Sequence, residues 1–124
     1  TGRPLVTLYG PASTEARGGT VTINLRDGRG EFVDHQLIEE RAGDGRISIR
    51  AGCFCNPGAG ELAMGISADE MRSCFVQHAD RITYNDFRRC IDGKSTGAVR
   101  VSLGVASTFA DVSAFVDFAR SFLQ

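Results

Sequence analysis

Apolar and polar positions alternate most cleanly over Thr20-Val-Thr-Ile-Asn-Leu25, where 21, 23 and 25 are apolar and four of the six residues are β-branched. That period of two predicts a half-buried strand. Leu5–Tyr9 reads as a shorter strand ended by Gly10-Pro11, followed by a polar, Gly-containing loop over 12–19 and a turn over Arg26–Gly30. From Glu31 to Ala42, Phe32, His35, Leu37 and Ile38 recur at roughly helical spacing, which predicts a helix stopped by Gly43-Asp-Gly45. Ile47–Arg50 predicts a third strand that runs into the loop Ala51–Gly58. Ser67 is a good N-cap for a helix through about Ala79, with Asp69 and Glu70 in its first turn and Met71, Cys74, Phe75 and His78 on one face. Residues 82–91 form a short second helix, Lys94–Gly97 a turn and Ala98–Leu103 a fourth strand. Thr108 with Asp111 three residues on resembles a capping box. The helix it opens carries a stripe of Phe109, Val112, Phe115, Val116, Ala119 and Leu123. A few strands alternating with amphipathic helices imply a two-layer α/β or α+β fold, a short β-sheet packed against helices.

Composition narrows the class. A chain of 124 residues suits a single domain, 1–124, with its own core. At 42% hydrophobic and 23% charged, it is neither disordered nor of low complexity. A net charge of −1, from 14 basic and 15 acidic residues, gives no reason to expect nucleic acid or an anionic membrane as partner. No apolar run approaches the ~20 residues that span a bilayer, and no basic stretch followed by an apolar run marks a signal peptide. The opening Thr1-Gly2-Arg3-Pro4 lacks an initiator Met and reads as the middle of a longer chain. Four cysteines, at 53, 55, 74 and 90, are sparse for a disulfide framework, so all are expected reduced and the chain cytoplasmic.

The most unusual segment runs from Ser48 to Gly60 and holds Cys53 and Cys55 among Gly and Pro. A structural zinc site wants four ligands. Here Cys-x-Cys has no second paired motif, and His35 and His78 are isolated, so no metal is expected. A reactive thiolate would profit from nearby positive charge, which Arg50 offers, and from a Gly-permissive backbone. The alternative is that these are small apolar residues, the preferred reading for Cys74 and Cys90. In Val99-Arg100-Val101-Ser102, alternation sends Arg100 and Ser102 one way and the valines the other. Arg100 is then either solvated or, if it lines a cleft, suited to a bidentate grip on a carboxylate.

The segments Arg50-Ala-Gly-Cys-Phe-Cys-Asn-Pro-Gly-Ala59, Gly97-Ala-Val-Arg-Val-Ser102 and Ser107-Thr-Phe-Ala-Asp-Val112 together resemble the C-terminal small domain of class V aminotransferase-like enzymes. These pyridoxal-phosphate (PLP) enzymes include the cysteine desulfurases. Within them the chain resembles the desulfurase-like domain of molybdenum cofactor sulfurases, also in its Gly-Ile-Ser before a helix and its Asp-Gly-x-x-Thr-Gly lead-in to the arginine strand. The resemblance covers nearly the whole chain and is densest from 47 to 118. It implies the small domain of a fold type I PLP enzyme, with Cys55 as the catalytic nucleophile that takes sulfur from L-cysteine as a persulfide. It implies Arg100 as the substrate-carboxylate clamp. It places Cys53 at a non-nucleophile position. Implied partners are the chain's own large PLP-binding domain, a sulfur acceptor (the molybdenum cofactor or an acceptor protein) and a second copy in a parent homodimer. Two departures stand out. Gly60 replaces a third cysteine common in the sulfurases, and Lys94, the only lysine, sits where the family has no Schiff base. This chain by itself is therefore expected to bind no PLP and to catalyse nothing. The rival readings are a class V aminotransferase or lyase for another amino acid, a stand-alone thiol-based binding module, and a structural interaction domain.

Overall fold

The computed structural model describes residues 4–53, 56–77, 81–91 and 93–124. In chain order these form β1 (Val6–Tyr9), β2 (Thr20–Leu25), α1 (His35–Asp44), β3 (Arg50–Gly52), α2 (Pro57–Met64), α3 (Ala68–Gln77), α4 (Tyr84–Cys90), β4 (Ala98–Ser102) and α5 (Phe109–Arg120), with a closing 3₁₀ turn over Ser121–Leu123. The strands make one antiparallel sheet in the order β1-β2-β4-β3. The expected α+β architecture, a short sheet against helices, is what forms. The last strand in sequence takes a central place.

One face of the sheet carries the core. Ile23, Leu25 and Val99 are buried there against Ile38 of α1 and against Ala119 and Phe122 at the chain's end, with Val21, Val101, Phe115 and Phe118 partly buried around them. Each fully buried aliphatic side chain of this kind contributes roughly 1.5–3 kcal/mol. The opposite face is polar and lies beside α2–α4. Asn24, fully buried on that face, donates from Nδ2 to the Tyr9 hydroxyl (3.0 Å) and to Met64 Sδ (3.3 Å), which anchors the end of α2.

Several expected elements change for identifiable reasons. α1 begins at His35, not Glu31, because Asp34 caps it by accepting from Gln36 N at 2.7 Å. The preceding residues instead fold back on β2, with Phe32 bridged to Arg26 and Val33 N donating to Leu25 O. β3 begins only at Arg50, because Ile47 is tied to the end of α1 through its N–H to Ala42 O. α2 was not expected. Its apolar spacing is poor, yet Asn56 caps it by accepting from Ala59 N (3.3 Å), and Gly65 closes it in the left-handed conformation with φ +65°. On α3, Cys74 is buried but Phe75 is 53% exposed, so the expected common face does not hold; His78 lies outside the described residues. On α5, Phe109 is 87% exposed and Val116 is also exposed, so the buried stripe runs through Phe115, Ala119 and on to Phe122.

The largest correction concerns cysteine. Cys74 and Cys90 form a disulfide, with Cα atoms 5.7 Å apart, that staples α3 to α4. Residues 16 apart in sequence, on two predicted helices, gave no sign of meeting. The expectation that all four cysteines are reduced fails for this pair.

Candidate active site

β3 and β4 pair in a register that sets Arg50 opposite Arg100, Ala51 opposite Val99 and Gly52 opposite Ala98. On the other side of β4, Arg100 lies opposite Thr22 of β2, and Thr22 lies opposite Tyr9 of β1. Directly opposed residues in a sheet point to the same face. Tyr9, Thr22, Arg100 and Arg50 therefore form one row across the polar face. Valines on the core face and arginine on the other is the alternation expected for β4, and the arginine does line a cavity.

That cavity measures about 440 Å³ and is lined by Thr22, Arg50, Ala51, Gly52, Cys53, Ala98 and Arg100. No carboxylate is among these residues. Arg50 and Arg100 are exposed, and neither makes an ion pair among the described residues. Cys53 follows directly on β3 as an exposed free thiol. It also borders a second cavity of about 230 Å³, shared with Met64, Met71, Phe87 and Thr96 of the α2–α4 side. Gly97 makes this corner possible. A Cβ there would lie 2.6 Å from Gly52 O and 2.9 Å from His35 Cε1, too close for any other residue. His35 itself is buried, with Nδ1 unpartnered among the described residues. At the far end of the row, burial pushes the Tyr9 phenol up, against the opposing effect of the Asn24 hydrogen bond.

Of the two expected site residues, Arg100 lies in this cavity. Cys55 lies outside the described residues, as does Phe54. Described neighbours on either side are Cys53, at the cavity, and Asn56, the cap of α2. The sequence reading used Arg50 as a charge near the thiols and as the first residue of the resembling loop segment, without a role of its own. Its place beside Arg100 depends on strand register, which becomes readable only once β3 is known to pair with β4. Thr22 was visible as a polar position in an alternating strand, but nothing local tied it to Arg100.

The residues present do not suit covalent attachment of PLP. Lys94 Nζ donates to Glu70 Oε1 and to Gly65 O, each at 2.6 Å, and is not among the residues lining the arginine cavity. The Lys94 hydrogen bond, followed by those from Ser67, holds the Glu70 carboxyl down at about 2, so the tie is a full ion pair at neutral pH. Among the described residues, no group of three or more His, Cys, Asp or Glu side chains is placed to hold a metal ion, and no helix is long and apolar enough to cross a membrane.

Comparison with known proteins places the chain. It is 39% identical over 123 residues to the molybdenum cofactor sulfurase of Drosophila mojavensis, which is 97% of this chain and 16% of that protein. The Arabidopsis thaliana molybdenum cofactor sulfurase is 40% identical over 121 residues, 94% of this chain and 14% of that protein. By sequence, the chain is similar to the molybdenum cofactor sulfurases. The human sulfurase is 36% identical over 120 residues, 94% of this chain and 13% of that protein. The chain thus spans only 13–16% of the length of these sulfurases. No protein-family model and no solved structure matches it.

Proposed function

We propose that this chain is the C-terminal small domain of a PLP-dependent sulfur-transfer enzyme of the cysteine desulfurase type, and that it supplies the sulfur-accepting thiol and the substrate-carboxylate clamp. The observation that carries the reading is the shared cavity of Arg100 and Cys53, the thiol two residues before Cys55 in a chain related to molybdenum cofactor sulfurases. A guanidinium fork that makes no ion pair among the described residues is suited to a bidentate grip on an amino-acid carboxylate. Holding L-cysteine by its carboxylate fixes where its sulfur can reach, which converts a bimolecular encounter into an oriented one. The Cys55 thiolate then forms an S–S bond to the substrate sulfur. The substrate's C–S bond breaks, carbon takes up a proton, and the products are alanine and a Cys55 persulfide anion. PLP, held by a large domain outside this chain, supplies the electron sink that makes that C–S bond labile. The persulfide sulfur passes on to an acceptor, the molybdenum cofactor or an acceptor protein. The parent works as a homodimer.

The test uses the full-length parent, incubated with L-cysteine and digested for mass spectrometry of the peptide holding Cys53 and Cys55. One added sulfur localised to Cys55, abolished in Cys55→Ala, is the expected result. A PLP-loaded parent that leaves Cys55 unmodified, and stays active on another amino acid after Cys55→Ala, would overturn the reading in favour of an aminotransferase or lyase.

A further inference from the structure

Arg50 and Arg100 stand directly opposite each other on adjacent strands. Like charges so placed repel and destabilise the sheet. Seven other cations are partnered: Arg29, Arg88, Arg89, Lys94 and Arg120 each meet a carboxylate, and Arg26 and Arg41 lie over aromatic rings. Among the described residues the Arg50–Arg100 pair has no such relief. No described acid lines the cavity beside them, and Thr22, next in the row, adds a neutral hydroxyl rather than a counter-charge. An unfavourable local choice that neighbouring residues leave unbalanced is expected where a site awaits a ligand. A single carboxylate occupies one guanidinium fork and neutralises one charge. The second fork remains.

We infer that the row Arg50–Arg100–Thr22 is a site for a doubly negative ligand, either a tetrahedral oxyanion such as a phosphate monoester or a dicarboxylate, in which Arg50 is the second anchoring group. The inference rests on the reading of this face as the ligand face. L-cysteine, with one carboxylate, takes the Arg100 fork alone, so the doubly negative ligand is a further ligand that competes with it for Arg100. Two forks and one hydroxyl converge from three neighbouring strands, so the site is part of the sheet rather than of a loop. Its net charge of two positive units also attracts such ligands over distance, in a chain whose overall charge is −1.

The test is an NMR titration of this chain with inorganic phosphate, succinate and acetate at matched ionic strength, following arginine Nε–H and β3–β4 amide signals. Wild type is compared with Arg50→Met and Arg100→Met. Phosphate or succinate should bind at least tenfold more tightly than acetate, and each substitution should reduce that ligand to acetate-like affinity. Preference for phosphate would identify a phosphate-type ligand, and preference for succinate a dicarboxylate. Acetate binding within twofold of both dianions would overturn the inference, as would Arg50→Met binding dianions like wild type, or no shift at either arginine with any anion. Acetate binding that depends on Arg100 and not on Arg50 would sink the two-charge site and leave the carboxylate clamp standing. Acetate binding indifferent to Arg100 would sink the clamp itself. The same spectra report folding, and Arg50→Lys, which keeps the charge without the fork, replaces any variant that does not fold.

Discussion

Val99 and Arg100 are consecutive residues of one central strand, and they face different worlds. Val99 is completely buried among Ile23, Leu25 and Ile38, while Arg100 opens onto a cavity shared with Arg50 and Cys53. The helices on the two sides differ in the same sense. α1 and α5 hold to the sheet by apolar packing around Phe115, Phe118 and Phe122. On the other side, α3 and α4 are held by a disulfide and by two ion pairs, Arg88–Asp34 at 2.8 Å and Lys94–Glu70 at 2.6 Å. The apolar side carries the main core cluster, while the α2–α4 side adds polar and covalent ties around its cavities to a few buried apolar residues, Met64, Cys74 and Ile91.

Charge moved to the wrong face of β4 is the most damaging change. Val99→Asp would bury an unpaired carboxylate, and we expect a loss on the order of 4 kcal/mol or more, or no folded chain, by urea denaturation. Next comes the staple. Replacing Cys74 and Cys90 together with Ala removes the cross-link from a 16-residue separation, and should cost about 3 kcal/mol by the chain-entropy argument. Reductant should destabilise wild type equally and leave the double variant unchanged. If it does not, the α3–α4 side is packed more like the core than described.

A smaller effect tests the ion pair. Glu70 titrates at about 2 when folded, against an ordinary value of 4.5. A depressed carboxyl pKa means the tie contributes fully above about 4.5 and is lost as pH falls toward about 2. Glu70→Gln should therefore flatten the fall of Tm over that interval, with little change at pH 7 beyond that of an exposed pair. Least of all, Arg100→Met should leave stability within about 0.5 kcal/mol of wild type, since its side chain supports no internal contact of the core. A large loss would mean that the arginine row is structural.

Much of this arrangement was legible in the chain. The alternation of Val99-Arg100-Val101 fixes which side of β4 is buried, and the Thr108–Asp111 pair marks the start of α5, where both capping-box hydrogen bonds form. Other features were hidden because their causes are not local. α2 owes its start to the Asn56 cap rather than to apolar spacing. Phe32 looked helical until Asp34 set the helix start beyond it. The Cys74–Cys90 link and the Arg50–Arg100 pair both join residues that only tertiary structure brings together. The resemblance to desulfurases gave Arg100 a role and took in Arg50 only as the start of the loop segment.

β4 is paired on both edges, to β2 and to β3. Side chains along it alternate in strict twos. A change in the lead-in between Lys94 and Ala98 that slid β4 by one residue against β2 and β3 would turn the guanidinium of Arg100 into the core and push Val99 and Val101 out into the cavity. Length change at the front of this strand is thus subject to parity. Over evolutionary time, drift in size belongs in segments such as the polar loop over 12–19, while the short lead-in to β4 behaves as a fixed count.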